Sequence, residues 1–394
     1  MSDSTSDPTP DPDSDPFDDD HGRVVLSGLR FRCERDVLAD ALASAGRAVT
    51  NRGGSLPALS GIRFELEGND LRLTGSDLDL TITVRIPVAG GRAGSAVVPA
   101  KLVAEIVRSL PPGKVEVEAD DEQATISAGR SVFTVRTIPA HEYPQLPEPA
   151  AETVQLDAAE FAEALGQVVP AASVDDARPI LTGVLMAAEG DGLRLVATDS
   201  YRLGVRDLPG TSVLAEGQEV IVPSKALGEL RRLLGDAGTI TLRLGERDVA
   251  FEVGDVVLTT RLIEGEFPKY RSLIPTSHPN RLRVGREALL DALRRVRLLA
   301  REGAHVRLRM KPDELELEAI TQDVGEAHEV LDATYEGTEL TVAFNPEYLI
   351  AGIEATPTDE IALETVDSLK PALIHGLNGS EFLYLLMPVR VNVS

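Results

Sequence analysis

Two stretches of the chain repeat one pattern of apolar and polar positions. Residues 96–110 and residues 220–234 each begin with a short apolar run, pass through a proline, and continue with apolar residues at helical spacing. Pro99 and Lys101 in the first stretch match Pro223 and Lys225 in the second, 124 residues later. Proline suits a helix start because the first amides of a helix have no intrahelical partner. The repeat is domain-sized, so it predicts duplicated domains rather than a solenoid of small units.

The wider pattern predicts three units, each with the order helix, three strands, helix, three strands. In the first unit, Leu38, Leu42 and Ala45 fall on one face of a predicted helix that runs from Arg35 to Val49. A more diverged third unit opens with a predicted helix from Arg286 to Arg301. Asn345 is expected to cap the second helix of that unit.

These units place the chain in the α+β class, with two helices packed on antiparallel sheets in each of three repeated domains. The predicted divisions are an acidic tail at 1–23, a first domain at 24–150, a second at 151–277 and a third at 278–394.

One aspartate recurs after an apolar strand in every unit. Asp77, Asp199 and Asp323 are 122 and 124 residues apart. Three converging acids would suit a catalytic role, but one copy per unit favours a structural one. Aspartate commonly accepts backbone amide hydrogen bonds at turns, and we expect that role here.

Composition bounds the cellular setting. Hydrophobic residues make up 43% of the 394 residues, enough for sizeable cores. The single cysteine, Cys33, excludes a disulfide framework and fits a reducing compartment. No apolar run approaches the roughly 18 residues of a membrane span, and no signal segment opens the chain. The sequence therefore predicts a cytoplasmic protein.

The charge is strongly acidic, with a formal value of −25. Residues 1–23 contain eight aspartates and one arginine with almost no apolar content, so we expect this tail to be disordered. The alternative is an acidic tail that repels DNA, or mimics it for a partner. Overall acidity argues against tight, charge-driven binding to nucleic acid but leaves weak, geometrically confined contact possible.

A search for chemistry favours a non-catalytic protein. The six histidines and one cysteine have no metal-ligand spacing, and no phosphate-binding glycine loop or nucleophile elbow is present. We therefore expect no catalytic residues, no metal and no cofactor. The scarce basic residues are more informative, because they recur on helices: Arg294, Arg297 and Arg301 form one stripe, and the spacing of Lys101 and Arg108 is repeated by Lys225 and Arg232. This segregation suggests one surface that tolerates a polyanion.

Over residues 24–394 the sequence closely resembles the bacterial sliding clamps, the beta subunits of DNA polymerase III. The motifs that carry the resemblance are Val-Pro-Ala-Lys at 98–101, Val-Pro-Ser-Lys at 222–225, Arg-Pro-Ile-Leu-Thr-Gly at 178–183, Ala-Thr-Asp-Ser-Tyr-Arg-Leu at 197–203, Gly-Glu-Phe-Pro-Lys-Tyr at 265–270 and Leu-Met-Pro-Val-Arg at 386–390.

The resemblance implies a head-to-tail homodimer whose six domains form a ring, with helices lining the hole. Such a ring encircles duplex DNA without sequence specificity and tethers the polymerase as a processivity factor. A closed ring needs no strong grip on phosphates, which agrees with the acidic charge. The implied partners are duplex DNA, the alpha subunit of DNA polymerase III, the clamp loader, and other polymerases and repair proteins with clamp-binding motifs.

The resemblance also implies a mainly apolar peptide pocket between the second and third units. The matching positions are Arg178, Leu181, Thr198, Ser200, Tyr201, Arg202, Leu203, Pro268, Leu273, Leu369, Pro371, Leu385, Met387, Pro388, Val389 and Arg390.

Two further surfaces follow from the resemblance. The subunit contact is expected to involve Phe133 and Val135 on an edge strand, and Leu298 and Leu299 on a helix, although Leu299 also fits the buried face of that helix. The DNA-facing residues are expected to be Arg52, Lys101, Arg108, Lys225, Arg232, Arg294, Arg297 and Arg301.

The chain departs from the family pattern in three places. Gly53-Gly54 follows Arg52 where the family has a proline-containing segment, Glu347 replaces the lysine of the opening stretch in unit three, and the acidic tail lies outside the pattern. These departures keep open a specialised clamp paralogue in repair or drug tolerance. An enzyme on a triplicated scaffold is the more remote alternative.

Overall fold

The computed structural model describes residues 28–49, 56–146, 149–150, 152–235, 237–275, 277–300, 305–377 and 381–390. The predicted acidic tail at 1–23 and Arg52, Gly53 and Gly54 therefore lie outside the described residues.

Each unit contributes two α-helices, as the repeat predicts. Their bounds are α1 Arg35–Ala45, α2 Ala100–Ser109, α3 Ala158–Val168, α4 Ser224–Leu234, α5 Arg286–Val296 and α6 Pro346–Ala355. Helices α2 and α4 start directly after Pro99 and Pro223, where the repeated stretches predict a start. The expected cap on α6 is confirmed, because the Asn345 side chain accepts hydrogen bonds from the backbone N–H groups of Glu347 and Tyr348.

Two helices end earlier than predicted. Helix α1 stops at Ala45 and a short 3-10 turn follows, instead of continuing to Val49. Helix α5 stops at Val296 instead of Arg301, and the backbone N–H groups of Leu298, Leu299 and Ala300 donate to carbonyls three residues back. Such bonds tighten the end of a helix while apolar residues continue to recur, so periodicity alone overestimates the length.

The strands of the first unit are β1 Gly28–Glu34, β2 Gly61–Glu67, β3 Asp70–Ser76, β4 Leu80–Pro87, β5 Ala89–Arg92, β6 Gly94–Pro99, β7 Lys114–Asp120, β8 Gln123–Ala128 and β9 Ser131–Arg136. Those of the second are β10 Val154–Asp157, β11 Gly183–Glu189, β12 Gly192–Thr198, β13 Arg202–Leu208, β14 Glu219–Pro223, β15 Thr239–Leu244, β16 Asp248–Val253 and β17 Val256–Arg261. Those of the third are β18 Asn280–Gly285, β19 Val306–Lys311, β20 Glu314–Thr321, β21 Gly325–Asp332, β22 Thr334–Glu336, β23 Leu340–Phe344, β24 Glu360–Thr365, β25 Ala372–Gly376 and β26 Phe382–Leu386. A strand thus precedes every helix. The apolar pattern predicts the strands before α1, α2 and α4, but not those before α3, α5 and α6.

The paired strands are antiparallel, and two of the sheets cross from one unit to the next. Strand β4 of the first unit pairs with β17 of the second, with Ile82 opposite Leu258. Strand β13 of the second unit pairs with β26 of the third, with Gly204 opposite Tyr384. Each junction therefore joins the third strand after the first helix of one unit to the last strand of the next unit.

The cores lie between the helices and the inner faces of these sheets. Aromatic pairs such as Phe31 with Phe64 and Phe161 with Phe251 fill the first two units beside aliphatic side chains. Cys33 is buried there, and burial raises the pKa of its thiol to about 12. The helix layer also continues across both junctions. Arg47, after α1, pairs with Glu229 on α4 (3.2 Å), and α3 contacts α6.

The described helices were also compared with the requirements of a bilayer. None of them combines the length and the apolar composition that a membrane crossing demands.

Candidate binding surfaces

The recurrent aspartates organise the turns after strands β3 and β12. Asp77 Oδ1 accepts from the backbone N–H of Leu80 (2.7 Å), and Asp199 Oδ1 accepts from those of Tyr201 (2.9 Å) and Arg202 (3.0 Å). The structural role is therefore confirmed for these two. The third turn differs, because Asp323 itself has a φ of 65°.

Asp199 also positions one of the predicted pocket residues. Its Oδ2 accepts from Nε of Arg202 (2.9 Å), and the Arg202 guanidinium lies 4.3 Å from the ring centre of Tyr348 on α6. The Tyr201 ring stacks on the same tyrosine at 6.5 Å. Two neighbouring residues of the second unit thus pack on one aromatic ring of the third.

The predicted peptide pocket, called the groove below, is centred on the junction of β13 and β26. The backbone N–H of Met387 donates to the carbonyl oxygen of Tyr201 (2.8 Å), which extends the strand pairing beyond β26. Arg178 reaches the start of the groove, where its Nη1 donates to Oγ of Ser200 (3.3 Å) and its Nε pairs with Asp175 (3.0 Å). The groove is therefore built from both units and depends on their alignment.

Its walls are apolar and open to solvent. Tyr201, Leu273, Leu369 and Met387 are all large exposed hydrophobic residues, with Leu369 62% exposed. The Asp367 side chain accepts the backbone N–H of Leu369 and so fixes the turn that carries it. Exposed apolar side chains mark an interaction site when they adjoin one another, and the backbone bond between Met387 and Tyr201 brings two of the four together.

Some predicted pocket residues are buried instead of exposed. Leu203, Leu385 and Thr198 are at most 6% exposed, and the two leucines pack in a cluster with Phe267 and Tyr270. Leu203 and Leu385 lie two residues from Tyr201 and Met387 and so on the same strand face, where Phe267 and Tyr270 cover them. Leu181, Pro371, Pro388 and Val389 are partly buried, whereas Pro268 and Arg390 are exposed.

Two groove residues were missed by sequence reasoning. Tyr348 belongs to α6, and nothing in its local pattern indicates a contact with another unit. Val174 is 96% exposed and precedes Asp175, the partner of Arg178. In the sequence, Val174 is an isolated valine in a polar loop, and that pattern is too weak to predict a binding residue.

The predicted DNA-facing cations are mostly paired with acids of the same chain. Lys225 pairs with Asp77 (3.1 Å), Arg232 with Glu229, Arg294 with Glu354 (2.9 Å), and Arg297 with Glu347 (3.1 Å). Glu347, which replaces the lysine of the opening stretch, thus lowers the positive potential at this place through a direct ion pair with Arg297.

Lys101 and Arg108 behave differently from those four. Both are exposed on α2, and within the described part of the chain neither makes a side-chain ion pair. Arg52 and Arg301 lie outside the described residues. The predicted stripe of three arginines on α5 is also shortened, because Arg297 follows the end of that helix.

The predicted subunit-contact residues divide into exposed and buried ones. Phe133 is exposed on β9, which is the outermost strand of its sheet, and Leu298 is 71% exposed. Val135 is only 8% exposed and packs in its own core, and Leu299 is partly buried, with its carbonyl oxygen accepting from Thr321. The first two are therefore available to a partner as they stand.

Further exposed apolar residues surround these positions and were missed. Val132 adjoins Phe133 on β9, Leu102 lies on α2, and three others flank strand β21, the outermost strand of a sheet in the third unit. Those three are Ile320, Val324 and Val330. Alternation along β9 and β21 could have suggested them, but only the sheet order identifies both strands as edges.

The two junctions inside the chain show how such edge strands can pair. In each junction, the third strand after the first helix of one unit (β4 or β13) pairs with the last strand of the next unit (β17 or β26). Strand β21 is the third strand after the first helix of the third unit, and β9 is the last strand of the first unit. Each is unpaired on its outer side within the described residues. The two ends of the chain therefore carry complementary halves of a third junction.

Comparison with known proteins was made at the level of family, sequence and structure. Three family models match in chain order: the N-terminal domain of the DNA polymerase III beta subunit at 29–147, its central domain at 155–269 and its C-terminal domain at 271–390. The beta sliding clamp of Streptomyces coelicolor is 35% identical over 381 residues, covering 92% of this chain and 100% of that protein. The beta sliding clamp of Staphylococcus aureus is 30% identical over 376 residues, covering 92% and 99%.

Solved structures give the same result. The DNA polymerase sliding clamp of Bacillus subtilis superposes with a TM-score of 0.87 at 31% identity, covering 93% of this chain and 100% of that one. A sliding clamp from Bartonella birtlesii bound to griselimycin has a TM-score of 0.87 at 32% identity, covering 92% and 100%. The predicted α+β fold with three repeated clamp domains is thereby confirmed.

Proposed function

The chain belongs to the family of DNA polymerase III beta subunits, the bacterial sliding clamps, and we propose that this DNA polymerase processivity factor works as a closed two-subunit ring. The observation that carries the proposal is the match between its two free strand edges. In the ring, β21 of each subunit pairs with β9 of the other, so that the junction already made twice within the chain is made again between chains.

The internal junctions supply a register for this contact. One set of equivalent positions in the three units holds Ile82, Gly204 and Ala327. Their partners on the preceding strands are the equivalent residues Gly75, Ala197 and Ala319. A second set of equivalent positions, on the last strand of each unit, holds Leu258, Tyr384 and Phe133. Their partners on the preceding strands are Phe251, Ile374 and Ile126. Ile82 faces Leu258 and Gly204 faces Tyr384, so Ala327 should face Phe133 of the partner subunit.

Two identical contacts of this kind close a ring with two-fold symmetry. They cover the exposed apolar residues at both ends of the chain, and they pair two edges that would otherwise invite aggregation. Leu298 and Leu102 belong to the same contact, because their counterparts Arg47 and Ala226 lie at the first internal junction. The sequence-derived assignment of Phe133 and Leu298 is thus supported, and Val135 and Leu299 serve it by holding these elements in place.

The charge arrangement suits retention by enclosure. Four of the expected DNA-facing cations are neutralised by neighbouring carboxylates, so a duplex in the hole meets few free positive charges. Among the described residues, Lys101 and Arg108 supply the remaining phosphate contacts. Each phosphate contact adds to the electrostatic affinity and its salt dependence, so few contacts leave the ring free to slide.

The groove between the second and third units would hold the partners. An extended apolar peptide fits between Tyr201, Leu273, Leu369 and Met387, and Met suits a site that accepts several sequences. We assign to it the alpha subunit of DNA polymerase III, the clamp loader, and other polymerases and repair proteins, which then compete for one groove in each subunit. The role is mechanical and non-catalytic, and it is exercised on chromosomal DNA in the cytoplasm.

The test is retention on circular DNA. The clamp is assembled on a nicked circular plasmid with the clamp loader of the same organism, and bound clamp is separated from free clamp by gel filtration. Cutting the plasmid once should release the protein within minutes, because a linear duplex has ends from which a ring can slide. Equal retention on circular and linear DNA would contradict enclosure and favour ordinary adhesion.

A further inference from the structure

A cationic cleft lies on the outer side of the sheet that joins the first and second units. Its volume is about 400 Å³, and Arg63, Arg72 and Arg85 line it. Threonine hydroxyls form much of its floor, from Thr74, Thr81, Thr83 and Thr259. The alternate residues of the same strands, including Ile62, Leu73 and Ile82, face the core, so these polar side chains point away from the helices.

The arginines of the cationic cleft are poorly neutralised. Arg72 and Arg85 stand directly opposite each other on β3 and β4, and like charges in that position destabilise a sheet. Among the described residues, Glu65 is the only carboxylate that lines the cleft, and Arg63 pairs with it (2.8 Å). Within the described residues neither Arg72 nor Arg85 forms an ion pair. This is unexpected in a chain in which acidic residues outnumber basic ones by 64 to 39.

A second observation concerns the hydrogen bonding of Arg63. Its Nε is buried and has no hydrogen-bond partner among the described residues. A buried donor without a partner carries a free-energy cost, whereas a carboxylate or phosphate oxygen would satisfy it with a charge-assisted bond. Threonine hydroxyls beside it can donate to the same group.

The cleft is not a requirement of the fold. At the second junction, Leu185, Val196 and Val205 take the positions of Arg63, Thr74 and Thr83. There the outer face is closed by Phe267 and Tyr270 of the linker in a continuous apolar cluster. One junction is thus sealed by its own chain, and the other presents a charged opening.

We propose that the cationic cleft binds the chain's own acidic N-terminal segment, residues 1–27. That segment carries eight aspartates and one arginine, so its charge complements the cleft. Aspartate carboxylates match the paired donors of arginine guanidinium groups. The segment would cover a positive surface on the outside of the ring, where duplex DNA would otherwise bind unproductively.

The segment starts close enough to reach. It joins the described chain at Gly28, whose carbonyl oxygen lies 2.2 Å from the place of a Cβ built on Gly94. Gly94 pairs with Leu66 on β2, the strand of Arg63. Leu66 faces the core, and directly paired residues point to the same face, so Gly28 lies on the core side of the edge strand β6 and the segment must pass around that edge to reach the outer face. Arg72 and Arg85 are on the two strands beyond β2, so the path is roughly 30 Å, at about 4.8 Å per strand with about 10 Å added for passing the edge. About ten extended residues span that distance at about 3.3 Å each.

Cross-linking tests the contact directly in the full chain. In an R72K/R85K variant, a zero-length carbodiimide joins a lysine amine to a carboxylate that touches it, and mass spectrometry identifies the peptides. We expect links from aspartates of residues 1–23 to the lysines at 72 and 85. Lys101 on α2 is a natural comparator for docking in the hole. Links from the segment to Lys101 in place of the cleft, or no links from it at all, would overturn the proposal.

Binding to a short linear duplex at low salt tests the consequence. Deleting residues 2–23 should raise the affinity at least threefold, and adding R72E/R85E to the deletion should remove that gain. The control adds R247E to the deletion, which reverses an exposed arginine on the turn between β15 and β16, and it should keep the gain. No gain on deletion, or a gain that R247E removes and R72E/R85E does not, would refute shielding of the cationic cleft. Circular dichroism checks that every variant is folded.

Discussion

At the scale of single residues, Arg202 connects the turn chemistry to the groove. Asp199 holds its guanidinium at 2.9 Å, and the opposite face of that group packs on Tyr348, so the side chain is fixed although it lies at a junction. A fixed, partly desolvated arginine beside aromatic rings is the kind of residue that dominates a peptide interface.

We expect Arg202→Ala to weaken the binding of a short apolar polymerase peptide about tenfold, equivalent to about 1.4 kcal/mol. The reason is the loss of both the charge and the flat surface that packs on Tyr348. Fluorescence anisotropy with a labelled peptide measures the effect, and size-exclusion chromatography should find the dimer intact. Arg202→Lys is the control that keeps the charge, and it should recover only part of the affinity. A dimer that dissociates in either variant would mean that the residue acts on assembly instead.

Cys33 gives a second prediction at this scale. With a pKa of about 12, its thiolate fraction at pH 8 is on the order of 10⁻⁴, and the side chain is buried. A thiol reagent such as Ellman's reagent should therefore not modify the native protein within an hour. In 6 M guanidinium chloride it should titrate one thiol per chain. Rapid reaction of the native protein would show that the first unit opens readily around β1.

At the scale of helices and strands, the sequence predicts the features that depend on neighbouring residues but not those that depend on distant contacts. The start of α4 after Pro223 and the cap of α6 at Asn345 depend on residues within one turn, so both could be predicted. The ends of α1 and α5 could not, since 3-10 turns continue the apolar pattern past Ala45 and Val296.

The candidate groove divides in the same way. The exposed Tyr201 and Met387 lie two residues from the buried Leu203 and Leu385 on the same face of two strands. Family resemblance could indicate all four, but their burial depends on the pairing of β13 with β26 and on the cover given by distant residues of the apolar cluster. Tyr348 was missed for the same reason, because its contacts come from another unit.

The capping bond of α6 can be tested separately from the rest of the unit. Asn345→Ala leaves the first amides of the helix without an acceptor and should cost about 1 kcal/mol locally. Amide hydrogen exchange at Glu347 and Tyr348 should accelerate roughly fivefold, an effect of the same size. Asn345→Asp preserves an acceptor oxygen and should leave the exchange rates near their original values. Equal rates in all three proteins would mean that tertiary packing, rather than the cap, holds this turn.

At the scale of the whole molecule, one junction design is used repeatedly. Its first copy is lined by threonines and an open cationic cleft, its second by an apolar cluster, and the free edges of β9 and β21 carry exposed apolar side chains. The contact between subunits must open when the ring is loaded onto DNA, so its apolar surface has to tolerate water in the open state. The two junctions inside the chain never open and do not have this requirement. On β9 the exposed Val132 and Phe133 lie between Ser131 and Thr134, and on β21 the exposed Val330 follows Glu329, so the apolar surface at each free edge is short and bordered by polar residues, which satisfies that condition.

The free edges therefore give the strongest prediction about assembly. Removing Phe133 and Leu298 together deletes two side chains whose full burial is worth about 1.5–3 kcal/mol each, so subunit exchange should accelerate at least tenfold. Mixing donor-labelled and acceptor-labelled dimers and following energy transfer measures that rate. The matched control is Leu273→Ala with Leu369→Ala, which removes two comparably exposed apolar residues from the groove and should leave exchange unchanged while weakening peptide binding. If the groove pair accelerated exchange as much as the edge pair, the two surfaces would be parts of one interface, and β21 and β9 would not be the elements that close the ring.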